Sequence, residues 1–455
     1  MRLALAAFLL ACAPADRPSS MQPCRVSGLG RVAECGIVEA SGVALHVVRL
    51  PAQDRTAVPL FLLAGGPGQA ATEAFPPMLP FVDKLARERD LVMVDQRGTG
   101  SSAPLDCPTS TELSEQLRDD ALRTAAKSCA ANLDRDVGAY LTNDAADELD
   151  AVRDALGYAR IDVLGASYGT RLGLVYARRH PASLRAMVLD GLAPPWMAIP
   201  QSFAEDGERA LDAVLKRCEA SACGKAFPSV RQDLDALLAS LAREPQHVEV
   251  AHPRTGEPLE LDITHDGFAL GIRSLLYAPE AVALLPFIIE RANKGDFSPF
   301  VALSALFSET AEEHMSLGLL FTVVCNEDLP RSKPSGARGF VGDAALASFR
   351  DACAAWPKVK VPEDYYARVK LDAPALLLSG ELDPVTPPRW GDDVLRDLPR
   401  GRHVVVPGMG HGVTIRSCVP DLIRRFLNAP EAELDASCLR DEAPPFFIDA
   451  AGPPH

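Results

Sequence analysis

The sequence predicts an α/β architecture: a mostly parallel sheet with helices on both faces, broken by one large, mainly helical insertion. Three observations predict it. Short apolar runs at 44–50, 59–63, 91–95, 161–164, 186–189, 375–378 and 403–406 read as strands. They are apolar throughout rather than alternating, which suits a sheet buried on both faces. Helical stretches separate them. In 144–156, Leu149, Val152 and Leu156 share one helix face, and Gly157 stands where a C-terminal cap belongs. From about Ala193 to Leu371 the strand-like runs give way to amphipathic stretches such as 204–217 and 232–243, and strands return after Asp372. That return marks an insertion capping the sheet; an independent second domain is the alternative.

The chain has 455 residues, 47% of them hydrophobic and 24% charged, enough for a large core built from more than one unit. A net charge of −15 with no lysine or arginine run repels phosphate backbones, so nucleic acid is not an expected partner. At the start, Met1 and Arg2 precede an apolar run from Leu3 to Ala11 and then Cys12. Leu9-Leu10-Ala11-Cys12 resembles the lipobox of bacterial lipoproteins, and the run is too short to span a bilayer. Residues 1–12 are thus expected to be a lipoprotein-type signal. The protein would be exported in a bacterium, held at a membrane through lipidated Cys12 or released as a periplasmic or extracellular form. A chance cysteine after an apolar start is the alternative.

Setting Cys12 aside leaves ten of the 11 cysteines in neighbouring pairs: Cys24 with Cys35, Cys107 with Cys129, Cys218 with Cys223, Cys325 with Cys353, and Cys418 with Cys438. Five disulfides suit an oxidising compartment, and neighbour pairing is the simplest connectivity. Zinc-type cysteine or histidine spacing does not occur, and no metal or organic cofactor is expected. The expected organisation is a signal at 1–12, an N-terminal extension at 13–35, and a first part of the core at 36–192. A cap follows at 193–371, then a second part of the core at 372–430 and a tail at 431–455. The tail's proline-rich end, 443–455, reads as a loosely packed extension.

The chemistry centres on Gly165-Ala166-Ser167-Tyr168-Gly169, between the strand 161–164 and a helix beginning near Thr170. Small neighbours let the chain turn sharply at serine, which exposes its hydroxyl and aims the helix N-terminus at the reacting oxygen. Such a serine needs a base, and the base an orienting acid. In α/β-hydrolases these follow in the order serine, acid, histidine. Asp383 lies in the loop after the strand 375–378, and His411, flanked by glycines, in the loop after 403–406. Both loops lie at carboxyl ends of strands, where open α/β sheets place ligands. Glu381 is the competing acid, and His403, His180 and His314 read as structural or exposed. Ala64-Gly65-Gly66-Pro67-Gly68 follows the strand 59–63 and would supply one oxyanion donor, the Gly66 N–H, with Tyr168 N–H as the other. As a phosphate cradle it lacks the Gly-Lys-Ser/Thr ending.

These residues, with Asp95 to Ser102, Asn143-Asp144, Leu189-Asp190-Gly191, Cys325-Asn326-Glu327-Asp328 and Cys353-Ala354-Ala355-Trp356-Pro357, resemble the proline iminopeptidase and tripeptidyl aminopeptidase family. The likeness runs from about Gly36 to Phe426 and is greater to the larger, exported tripeptidyl-type members. It implies the α/β-hydrolase fold and cleavage of peptides from a free N-terminus. It also implies cap acids that hold the substrate's α-ammonium, a role that falls on Glu327. The strict iminopeptidase reading is weakened by Ala64, where many such enzymes carry histidine. Asp95 to Ser102 reads as a bracing turn. The rival functions are a carboxylesterase using the same triad and a non-catalytic, peptide-binding surface lipoprotein.

Overall fold

A computed structural model describes residues 21–448, apart from 80–83, 109, 111, 314, 335, 337 and 338. The expected signal with Cys12, His314 and the last residues of the tail lie outside the described residues. Among those described, the strands are β1 (Gln22–Cys24), β2 (Ala33–Ala40), β3 (Val43–Leu50), β4 (Leu60–Leu63), β5 (Leu91–Val94), β6 (Ile161–Ala166), β7 (Leu184–Asp190), β8 (Gln246–Ala251), β9 (Pro258–Ile263), β10 (Ala375–Gly380) and β11 (Gly401–Val406). Nine of them form one sheet in the order β1-β2-β3-β5-β4-β6-β7-β10-β11. The chain runs antiparallel from β1 to β5 and parallel from β5 to β11. This is the α/β-hydrolase fold: a mostly parallel sheet with helices on both faces.

The continuous apolar runs are the central strands for a simple reason. Strands β4 and β10 are buried at every residue, so each side chain needs an apolar partner whichever face it points to. One face packs on the helices Thr142–Ala155 and Tyr168–Arg179, and the other on the helix Val419–Asn428. The register then sets the site. Leu63 of β4 pairs with Gly165, Ala166 with Asp190, Leu378 of β10 with Asp190, and Gly380 with Val406. Five parallel strands therefore end side by side. The loops that leave them, carrying residues 64–68, Ser167, Gly191, Asp383 and His411, share one edge.

The insertion is mainly helical and has its own apolar core, built by the helices Phe203–Glu219, Val230–Leu241, His265–Leu275 and Leu285–Asn293. It also holds the antiparallel hairpin β8–β9, which the sequence reading passed over. That hairpin alternates exposed residues with half-buried or buried ones, a pattern without the continuous apolar run that marks the central strands. The strand pair β1–β2 was likewise missed. It belongs to the sheet, and the Cys24–Cys35 disulfide fastens it. All five neighbour pairings of cysteine are formed. The tail is better anchored than expected: Phe447 N–H donates to the Ala283 carbonyl, and its ring meets Phe287 edge-on at 5.1 Å. Among the described residues no helix is long and apolar enough to cross a membrane.

Candidate active site

Ser167 sits at the tip of the turn between β6 and the helix Tyr168–Arg179, with φ +54° and ψ −121°. A non-glycine residue there is strained, and such strain persists only where the surroundings enforce it. The enforcement is steric. A Cβ on Gly165 would lie 2.3 Å from the Gly169 carbonyl oxygen, and one on Gly169 would lie 2.1 Å from that of Leu63. Only glycine at both positions lets the helix come back so close to the strand. The Ser167 N–H donates to the Asp190 carbonyl at 2.8 Å, which fixes the turn to β7.

The structure brings Asp383 and His411 together. His411 Nδ1 lies 2.8 Å from Asp383 Oδ2 and 3.1 Å from Thr386 Oγ1. Asp383 also accepts from the backbone N–H groups of Val385 and Thr386 and from the Thr386 hydroxyl. Burial pushes the Asp383 carboxyl up, but the charge and hydrogen bond of His411 and the two backbone donors outweigh it and hold it below the ordinary value. For His411, burial works against the charged ring, yet the charges of Asp383 and Asp190 outweigh it and raise its pKa above 6.5. The imidazole is thus oriented by one carboxylate and primed to carry a proton.

Gly191 ties serine to histidine. It directly follows Asp190, whose carbonyl holds Ser167, and a Cβ on it would lie 3.1 Å from His411 Cε1. On the other side, a Cβ on Gly65 would lie 3.2 Å from Ser167 Cβ, so the 64–68 loop runs directly beside the serine. Tyr168 opens the helix, where its backbone N–H has no intrahelical acceptor. The expected donors therefore flank Ser167, Gly66 on the 64–68 loop and Tyr168 at the first position of the helix. Among the described residues no group of three histidine, cysteine, aspartate or glutamate side chains gathers as a metal site would.

The other acids and histidines have different work. Glu381 accepts from the Gly408 N–H and braces the histidine loop. His403 bridges Asp392 and Ser379, and His180 pairs with Asp147. Asp95 receives Thr72, Ser101 and His46, the bracing role read for its turn.

Glu327 differs from expectation. It is fully buried on a π-helical turn, Val324–Asp328. One oxygen accepts from Thr142 N–H and the other from the hydroxyls of Thr142 and Tyr365. A carboxylate so engaged presents no open face to a substrate ammonium; it joins the cap to the helix Thr142–Ala155. Replacing Glu327 with alanine is expected to cost about 2–4 kcal/mol of stability by stranding those donors. Thermal unfolding checks this. An unchanged melting point with a raised KM for free-amine peptides alone would restore the ammonium role.

Several residues that shape the site were not singled out from sequence. Asp190 accepts from Val413 N–H, Thr414 N–H and the Thr414 hydroxyl, all at 2.7 Å, and so anchors the loop that carries His411. Tyr277 of the cap accepts the His411 N–H on its carbonyl, and its ring meets the imidazole edge-on at 5.2 Å. Arg171, on the serine's helix, is fully buried and donates to Asp328 and to the carbonyls of Ala193 and Met197. The one signal in sequence was Leu189-Asp190-Gly191, noted only as part of a resemblance.

Fold and site together define the class: the chain is a hydrolase of the α/β-hydrolase fold. The family described as alpha/beta hydrolase fold matches residues 58–221, and the family described as TAP-like protein matches residues 339–438. Within the class, the chain resembles the serine peptidases. It is 26% identical over 430 residues to serine protease Hip1 of Mycobacterium tuberculosis, covering 84% of this chain and 81% of that protein. A tripeptidyl aminopeptidase of Streptomyces lividans is 32% identical over 124 residues, 24% of this chain and 23% of that one. Carboxylesterase B of Mycobacterium tuberculosis is 28% identical over 399 residues, covering 78% and 74%.

Proposed function

We propose that the protein is an exported serine aminopeptidase-type hydrolase that releases an N-terminal residue or tripeptide from peptides with a free N-terminus. The observation that carries this reading is the Asp383–His411 pair at 2.8 Å, on the same sheet edge as the strained Ser167 turn. In the proposed mechanism a peptide enters beneath the cap and His411 takes the Ser167 proton as the hydroxyl attacks the carbonyl. The N–H groups of Gly66 and Tyr168 hold the oxyanion. His411 then protonates the leaving amine, and water releases the acyl group by the reverse steps. Asp383 keeps Nδ1 protonated and steadies the imidazolium. Attachment to a membrane would run through lipidated Cys12.

The base must be neutral to accept the proton. Because the His411 pKa is raised, the acid limb of kcat/KM should have its midpoint above pH 6.5, falling about tenfold per unit below it. A midpoint at or below that value would mean that Asp383 does not govern the base.

The test of function is a matched set: a prolyl amide, an Ala-Ala-Pro tripeptidyl amide, its N-acetylated form and a short acyl ester, each with wild type and Ser167→Ala. Serine-dependent cleavage of a free-amine substrate, lost on acetylation, supports the aminopeptidase. Cleavage of the ester alone would favour the carboxylesterase reading, to which the likeness to carboxylesterase B lends weight. Failure to react with a fluorophosphonate probe would leave a peptide-binding surface lipoprotein.

A further inference from the structure

The cap carries a buried cation beside the proposed base that nothing in the mechanism uses. Arg273, in the last turn of the helix His265–Leu275, is only 6% exposed. Among the described residues no carboxylate comes within ion-pair distance of it, in a chain where acids outnumber lysine and arginine by 61 to 46. Its Nε is buried without a hydrogen-bond partner. Its hydrogen bond to the Tyr277 hydroxyl is long, at 3.4 Å. The fully buried arginines are treated differently: Arg89 meets Asp162, and Arg171 meets Asp328.

Packing rather than pairing holds the side chain in place. The guanidinium carbon lies 3.7 Å above the Phe203 ring centroid and 5.6 Å from that of Tyr277. The stem runs against helix Phe203–Glu219 at Gly207, where a Cβ would sit in ordinary contact, 3.6 Å from Cγ and Cδ of Arg273. Tyr277, which touches the guanidinium through its hydroxyl, also meets the His411 ring edge-on and accepts the His411 backbone N–H on its carbonyl. A rigid, desolvated guanidinium thus stands one residue from the proposed base, on the cap side. A planar fork with unused N–H groups in a buried site matches a carboxylate, and an unpaired buried charge is costly unless a ligand completes it.

We propose that Arg273 is the anion-recognising residue of the substrate pocket and receives a carboxylate carried by the leaving part of the peptide. This rests on the peptidase reading above. The leaving side follows from position, since His411 is the group that hands its proton to the departing amine and Arg273 adjoins it through Tyr277. The carboxylate has two sources: an aspartate or glutamate side chain after the scissile bond, or the C-terminal carboxylate of a short peptide.

Two substrate pairs separate them, each with a free amine: Ala-Ala-Pro-Glu-amide against Ala-Ala-Pro-Gln-amide, and Ala-Ala-Pro-Ala as free acid against its amide. Wild type should favour the carboxylate member of at least one pair by about 10- to 100-fold in kcat/KM, more at low salt than at high. The pair that shows it names the source. In Arg273→Gln that ratio should fall towards one, and in Arg273→Lys it should be partly kept. Because the readout is a ratio within one enzyme, loss of active protein moves both members equally and leaves it unchanged. A wild-type ratio near one for both pairs overturns the proposal while leaving the peptidase standing. So does a ratio in Arg273→Gln equal to that of wild type. If no member of either pair is cleaved, the peptidase reading fails and the role of Arg273 falls with it.

Discussion

Ser167→Ala is expected to lower kcat by about four to six orders of magnitude on whichever substrate the wild type turns over, with the fold intact. The size follows from the division of labour at the sheet edge. In the proposed mechanism the pair Asp383–His411 has no hydroxyl to deprotonate once Ser167 is alanine, and the oxyanion donors by themselves would give only the residual rate over water. The fold should survive because the turn is enforced by the glycine contacts at 165 and 169 and by the Ser167 N–H bond to Asp190, none of which needs the hydroxyl. Single-turnover rates and thermal unfolding of wild type and variant, measured together, check both halves. A loss smaller than about tenfold with an unchanged melting point would remove Ser167 from the role of nucleophile.

Arg171→Ala is expected to cost about 3–5 kcal/mol of folding stability. Arg171 is fully buried on the helix that starts at the nucleophile turn, and it joins that helix to the cap through Asp328, with both carboxylate oxygens at 3.0 Å and Glu327 at 3.8 Å. Without it, two buried carboxylates lose their buried counter-charge, the Ala193 carbonyl loses its donor, and only the part-exposed Arg331 is left near Asp328 and the Met197 carbonyl. Burial already raises the pKa of both Asp328 and Glu327 against the pull of Arg171. The sign of the pH effect follows. A carboxyl with a raised folded-state pKa favours the protonated folded form, so stability falls as pH rises from the unfolded value through the folded one. Removing the arginine raises both further, and the deficit of Arg171→Ala should therefore be larger at pH 8 than at pH 5. Urea unfolding at the two values measures it. An equal deficit at both would mean that the carboxylates are not the cause. Converting the acids as well, in Arg171→Met with Glu327→Gln and Asp328→Asn, should restore much of the loss, because apolar or neutral replacement of a whole buried ion cluster is far cheaper than removal of one member.

Much of this site was legible because its marks are local. The strand runs that end before Ser167, Asp383 and His411 are apolar at consecutive positions, and the glycines around Ser167 and His411 sit at fixed offsets from their residues. The cysteine pairs were read from nearness alone, and a short loop closes easily. Glu327 was misplaced for the opposite reason. Its motif, beside Cys325, carries no sign of depth, and a carboxylate in a loop-like stretch reads as exposed until Thr142 and Tyr365 are brought to it from 185 and 38 residues away. The hairpin β8–β9 and the edge pair β1–β2 escaped because half-buried alternation in short strands resembles polar loop sequence.

By itself, then, the sequence determined the fold class, the order of the central strands along the chain, the sharp serine turn and the two loops that bear the proposed acid and base. Each depends on residues within a few positions of one another, where periodicity and steric need are written directly. Only the tertiary structure decided what surrounds them: Arg171 against Asp328, Asp190 beneath the histidine loop, and Arg273 held by Phe203 and Tyr277 beside His411. Those partners come from distant segments, and the desolvation that makes their charges matter exists only once the cap has closed over the sheet.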